Sequence, residues 1–286
     1  MLLGFLTALG AAVAFGVAAL LQAVAARREQ VTEAVDPRLL LRMLRHPAFL
    51  AALALNLGGF ALHFTALRLL PLFLAQAVIG SSVAVTALLS ARVLKAPLNR
   101  PEYLAVGAVC AGLALLALAG GEEGEVTTST GERAWLLAVT AAIVVAGALA
   151  GRVAGTRGAM LLGLVSGTGF AVVAISGRVL PTYAPPDVLR DPAAYALLAG
   201  GTVAFLLYSA ALQRGSAITA TASMVLCQTA GPALVGVLLL GDSVRAGWAP
   251  VSVLGLALAA TGAVLLARFD PQALAASAPR EAPAPR

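Results

Sequence analysis

Nine long apolar runs constrain this chain more than any other feature of it. They cover approximately Leu2–Ala25, Pro47–Leu67, Leu70–Leu94, Tyr103–Gly120, Ala134–Ala150, Ala159–Ser176, Ala193–Leu212, Ala217–Leu240 and Trp248–Ala267. At ~1.5 Å per residue, a helix of such length crosses the ~30 Å hydrocarbon core of a bilayer. Strands of a membrane barrel would instead alternate in hydrophobicity over ~10 residues. Composition agrees: 60% of the 286 residues are apolar and 11% are charged, against about 25% charged in soluble domains. A water-soluble fold could not cover that much apolar surface. The expectation is an all-α integral membrane protein with about nine transmembrane helices. The first run has no basic residue ahead of it, and Arg27 and Arg28 follow it, so it reads as a retained first helix rather than a cleaved signal.

The charges sit between the runs, and they orient them. With the N-terminus outside, the inner segments hold fourteen basic residues and the outer segments five. That asymmetry places the protein in the cell (inner) membrane, multi-pass, with the N-terminus outside and the C-terminus cytoplasmic. The acidic loop with Glu122, Glu123, Glu125 and Glu132 then faces outward. In a soluble chain, 19 basic against 13 acidic residues would raise the question of a nucleic-acid partner; here they mark topology instead. Residues 27–46 mix Leu39, Leu40, Leu41 and Leu44 with Arg38, Arg42 and Arg45, the pattern of a helix lying at the inner interface. The Ala- and Pro-rich stretch 269–286 reads as a disordered cytoplasmic tail.

The chain also resembles itself. Gly59–Leu89 aligns without gaps on Ala204–Leu234, with Ala66-Leu67 on Ala211-Leu212. Each segment is a helix, a polar turn and a second helix with polar residues in its middle. A glycine-bearing helix follows each, with Gly107 and Gly112 in one and Gly255 and Gly262 in the other. Ala14–Ala18 resembles Gly169–Val173. Runs one to four therefore resemble runs six to nine, with the fifth left over. One odd span between two four-helix units makes the second unit enter the membrane from the opposite side. The expected organisation is two inverted four-helix repeats joined by a linker helix, a plan that transporters use for alternating access. Its divisions are a first transmembrane repeat over 1–120, an outer acidic loop and linker helix over 121–157, a second repeat over 158–268, and the tail.

With Ala66-Leu67 and Ala211-Leu212, the stretch Pro232–Asp242 and the spacing Gly255 to Gly262, residues 2–268 resemble the drug/metabolite transporter superfamily, EamA-type members included. Nine spans and Asn56-Leu-Gly-Gly, Ala66-Leu-Arg-Leu-Leu-Pro71 and Gln76 look similar to its NIPA-like branch. That resemblance implies magnesium transport. The chain departs from the family where a Glu often follows the polar-centred helix: it has Lys95-Ala-Pro97 in one half and Asp242 in the other.

No run carries Asp, Glu, Lys or Arg at its centre. Carboxylates there would mark ion sites, and Mg²⁺ sites favour them. The better-fitting cargo is a neutral or zwitterionic metabolite, or a lipophilic compound. Candidate substrate-binding residues are Asn56, His63, Gln76, Ser81, Ser82, Gln228, Thr229 and Pro232. Amides donate and accept, which suits a small polar solute; the same groups also serve as hydrogen bonds between helices. His63 could couple to protons or pack as a neutral ring. Pro232 removes a backbone donor inside its helix. Cys110 and Cys227 fall in apolar runs with no metal spacing, and no cofactor is implied. Gly120–Gly124 lacks the Lys-Ser/Thr ending of a phosphate loop. The partners implied are a small-molecule substrate and membrane lipid, with a homodimer as an option and no nucleic acid. The expected function is secondary transport of a small solute, a metabolite or drug-like compound; the alternatives are a NIPA-like divalent cation transporter and a non-transporting membrane scaffold. Lacking a convergent acid–base cluster, the chain is not read as an enzyme.

Overall fold

A computed structural model describes residues 2–29, 35–69, 78–93, 98–121, 128–180 and 187–268. The helices, in chain order, are α1 (Leu2–Ala26), α2 (Leu39–Met43), α3 (Pro47–Leu69), α4 (Ser82–Val93), α5 (Arg100–Ala119), α6 (Thr130–Arg133), α7 (Trp135–Ala150), α8 (Gly155–Val179), α9 (Pro192–Arg214), α10 (Ala217–Leu239) and α11 (Ala249–Arg268). A single 3₁₀ turn, Asp187–Arg190, precedes α9. Among the described residues there is no strand, only an isolated bridge between Gly120 and Val244. Among the described residues, six helices are long and apolar enough to cross a membrane: α1, α5, α8, α9, α10 and α11. Pro47–His63 within α3, Val78–Val93 and α7 are shorter apolar helices. The chain is thus an all-α, multi-pass type of protein.

Helix ends follow local chemistry. Asp191 caps α9 by accepting the Ala193 N–H at 2.9 Å, with Pro192 at the first helical position, where a missing N–H costs nothing. The Ser216 hydroxyl accepts the Thr219 N–H at 3.1 Å and starts α10. Glu102 reaches back to the Asn99 N–H at 2.6 Å and starts α5. α10 stops at Gly241, whose φ of 74° favours glycine, and the Asp242 N–H returns to Gly236 O at 2.9 Å.

Small residues set the packing. Apolar side chains gain little by leaving lipid for a neighbouring helix, so close backbone approach supplies much of the contact energy. Gly59 of α3 lies against Ala14 and Phe15 of α1. Gly169 of α8 lies against Ala204 of α9. Gly163 and Gly167 of α8 seat Ala220, Ser223, Met224 and Cys227 of α10. Gly112 of α5 faces Gly255 and Ala259 of α11, and Gly262 faces Ala105 and Val109, so α5 and α11 cross antiparallel along much of their length.

Hydrogen bonds at one end set the directions of the helices. Gln213 Nε2 donates to Ala26 O at 3.0 Å and Arg27 to Gly215 O at 2.9 Å, so α1 and α9 finish together. Arg214 donates to Gly151 O at 2.6 Å, just before α8, so α8 starts where α1 stops. α1 and α8 therefore run in opposite directions. This end carries Arg27, Arg28, Arg38, Arg42, Arg45, Arg152, Arg157 and Arg214, and is called the basic end below.

The segment read as an interfacial helix is shorter and more deeply docked than its sequence pattern indicated. α2 has five residues; Leu39 and Met43 are buried in the protein, and Leu41 and Leu44 point outward. Arg42 bridges Glu29 at 2.8 Å and Asp36 at 2.5 Å, and His46 meets the other Glu29 oxygen at 2.8 Å. These bonds pin α2 to the end of α1. The linker region contains α6 and α7, and α8 starts at Gly155, ahead of the boundary at 158. Of the third apolar run, residues 70–77 lie outside the described part, as do Lys95-Ala-Pro97 and the tail.

Candidate functional site

α3 presents Phe49, Asn56, Phe60 and His63 at steps of three, four and seven residues, which puts them on one stripe. At the basic end this stripe meets α9: the Phe49 and Phe205 rings lie 5.8 Å apart. Asn56 is half-buried farther along. His63 sits between Phe15 of α1, edge-on at 6.4 Å, and Phe60, edge-on at 6.5 Å. Its Nε2 is buried and finds no hydrogen-bond partner among the described residues.

On α10, Gln228 is exposed, Thr229 and Pro232 are half-buried, and the helix continues unbroken through the proline. Pro232 has no N–H to offer the carbonyl four residues before it, which belongs to Gln228. Gln228 thus brings a side-chain amide and a freed backbone acceptor to the same turn. Its stripe also carries Thr221 and Val225. Thr221 bonds Tyr208 of α9 at 2.6 Å, and Val225 packs in the cluster that holds Val83 and Ala87 of α4. Met224 and Cys227, on the adjoining face, lie against Gly167 of α8. By helical spacing Gln228 falls between the face of α10 that meets α4 and the face that meets α8.

Ser81 and Ser82 are not brought to Gln228 by any described bond. The Ser81 hydroxyl donates locally to Val78 O at 2.6 Å. Ser82 is buried, its carbonyl accepts from Thr86 at 2.9 Å, and it lies against Gly16 of α1. Ser82 thus sits in the α1–α4 crossing, and the Ser81 hydroxyl is satisfied within its own turn. Gln76 lies outside the described residues.

The sequence pattern underrated Gln22, which stands near a helix end. In the fold, Gln22 Nε2 donates to Ser209 Oγ at 2.9 Å, and both side chains are fully buried. Gln22 Oε1 has no donor among the described residues. Ser209 in turn donates to Phe205 O at 2.8 Å. A pairing across 187 positions leaves no local pattern in the sequence. The ion pairs lie away from this space. Asp242 is engaged by Arg178, and Asp191 by Arg133 at 3.1 Å, both at the end opposite the basic one. Asp242 is accordingly built into a structural clasp. Among the described residues no group of three His, Cys, Asp or Glu side chains converges.

Comparison with protein-family models, with curated proteins and with solved structures returns no match.

Proposed function

We propose that the chain is a secondary transporter that moves a small, uncharged or zwitterionic solute by alternating access, with nine spans arranged as two inverted four-helix repeats. In this reading the first repeat is α1, α3, the Val78–Val93 helix and α5, the second is α8 to α11, and α7 joins them. One observation carries the reading: corresponding residues make corresponding contacts in the two halves. The sequence alignment matches Ala14 with Gly169 and Gly59 with Ala204. In one half Ala14 packs on Gly59, and in the other Gly169 packs on Ala204, with the small residue exchanged between partners. The same alignment matches Gly16 with Ala171 and Thr86 with Gly231. Thr86 Oγ1 lies 3.5 Å from Gly16 O, and Gly231 lies against Ala171. The opposite directions of α1 and α8 support inversion. Symmetry-related halves can exchange shapes, which opens a shared central site to each side in turn.

The basic end is assigned to the cytoplasm by the excess of arginine there. The likeness to the drug/metabolite transporter superfamily agrees with this plan. Cargo follows from what the described residues bring to the centre, namely amides, hydroxyls and rings with no carboxylate; a bare divalent ion would lose its hydration with no charged ligand to offset the loss. The test is flux in proteoliposomes with neutral metabolites, lipophilic compounds and Mg²⁺ as separate cargoes. Flux of an organic solute supports the proposal. Flux of Mg²⁺ alone, or of nothing, contradicts it.

A further inference from the structure

The two faces that meet at the basic end part towards the other end. On α3, Phe49 is 2% exposed and Phe60 is 63% exposed. On α9 the stripe Ser209, Phe205, Thr202, Leu198 runs the same way, from 0% at Ser209 to 67% at Leu198. The stripes touch near the basic end, through Phe49 with Phe205, and beside that contact Gln22 of α1 bonds Ser209. Both open as they leave the basic end.

The cores divide in the same sense. One large cluster runs along α8 and α9 from end to end, and its members from the first half, among them Ala19, Ala23, Leu39, Met43 and Phe49, all lie at the basic end. Ala8, Ala11, Ala66 and Ile79, at the other end, form a cluster whose described members come from the first half alone.

We propose that the space between these faces is a solute cleft whose described walls part towards the end away from the basic one and which a floor closes at the basic end. Phe49–Phe205 and Gln22–Ser209 make the floor. Phe15, Phe60 and His63 give the walls three rings, and Asn56 gives them an amide. That lining takes a small uncharged solute with a flat apolar body and one or two hydrogen-bonding groups. The inference rests on the transport reading and adds to it a direction of opening, a floor and a class of solute.

Thiol labelling in lipid nanodiscs tests it without any flux measurement, so failure of transport and failure of the cleft are read separately. The full chain carries Cys110→Ala and Cys227→Ala with one reporter, Thr202→Cys on the wall or Ser209→Cys in the floor. A small hydrophilic maleimide is expected to label the wall quickly and the floor slowly. Phe49→Leu, and separately Phe205→Leu, each speed floor labelling about tenfold, the scale of one lost ring contact. Benzamide slows wall labelling, and benzoate of the same shape does not. Equal labelling of wall and floor, or a floor rate unmoved by both variants, overturns the floor. No protection by benzamide, or equal protection by benzoate, overturns the solute class. Each variant is first checked for a native elution profile.

Discussion

Gly169 of α8 and Ala204 of α9 pack so closely that a Cβ added at the glycine would come within 2.8 Å of the alanine methyl. The first half solves the same crossing with Ala14 and Gly59, the glycine now on the other helix. Gly169→Ala should destabilise the protein by about 1–3 kcal/mol, the usual cost of overpacking. Adding Ala204→Gly should recover much of that loss, because it recreates the arrangement of the first half. Thermal unfolding in detergent measures both. A double variant no better than the single one would show that the two crossings are not alike.

Arg133 and Asp191 form a buried pair at 3.1 Å, with side chains 9% and 7% exposed. Arg133 also donates to Val179 O at 3.3 Å, so the pair ties the start of α7 to the end of α8 and the start of α9. Asp191 in addition caps α9. Asp191→Asn keeps the shape and removes the charge that faces Arg133. A loss of about 3 kcal/mol is expected, as for breaking a buried pair, read as a lower midpoint of unfolding. Asp36→Asn, in a solvated network, serves as the control and should change the midpoint far less.

The clasp at the basic end should loosen in acid. His46 first, and then Arg42, hold the Glu29 carboxyl below its ordinary value of 4.5, against partial burial, which raises it. Arg42 and the Arg38 backbone N–H hold Asp36 below 3.8. A carboxylate whose folded pKa is depressed contributes stability that is fully present above its unfolded pKa and lost as pH falls through the folded one. Stability is therefore expected to be level on this account above about pH 4.5 and to fall below it. Arg42→Gln should flatten the fall. A midpoint with the same acid dependence in wild type and variant would contradict the assignment.

Gln228 is exposed, so Gln228→Leu should leave unfolding unchanged while lowering organic-solute flux about tenfold, the equivalent of one well-placed hydrogen bond. Ser81→Ala, which removes a bond made only to Val78 O, should leave flux near wild type.

The helices were legible because length and apolarity decide them locally: each long run lies on a helix wherever the chain is described. α2 was only half legible. Its Leu and Arg residues indicated an interface, but whether Leu39 and Met43 enter lipid or protein depends on what lies above them. Asn56 and His63 stood out in the sequence as polar residues in an apolar run, and the fold puts them on one stripe of α3 with Phe49 and Phe60. The candidate site was not legible at Gln22, whose partner Ser209 lies 187 residues away, nor at Asp242, whose role depends on Arg178 on another helix. Ser81 and Ser82 show the converse. Polar residues in an apolar run draw attention, yet a hydroxyl can be satisfied by its own turn.

The starts of the two halves give the most direct test. Leu3 opens α1 and Arg157 lies in the first turn of α8, both exposed and in helices that run in opposite directions. Single cysteines at these positions, in a chain without Cys110 and Cys227, are treated in intact cells with a membrane-impermeant thiol reagent. Leu3→Cys is expected to be labelled from outside, and Arg157→Cys only after the cells are permeabilised. Labelling of both from the same side would contradict the inverted arrangement and, with it, alternating access.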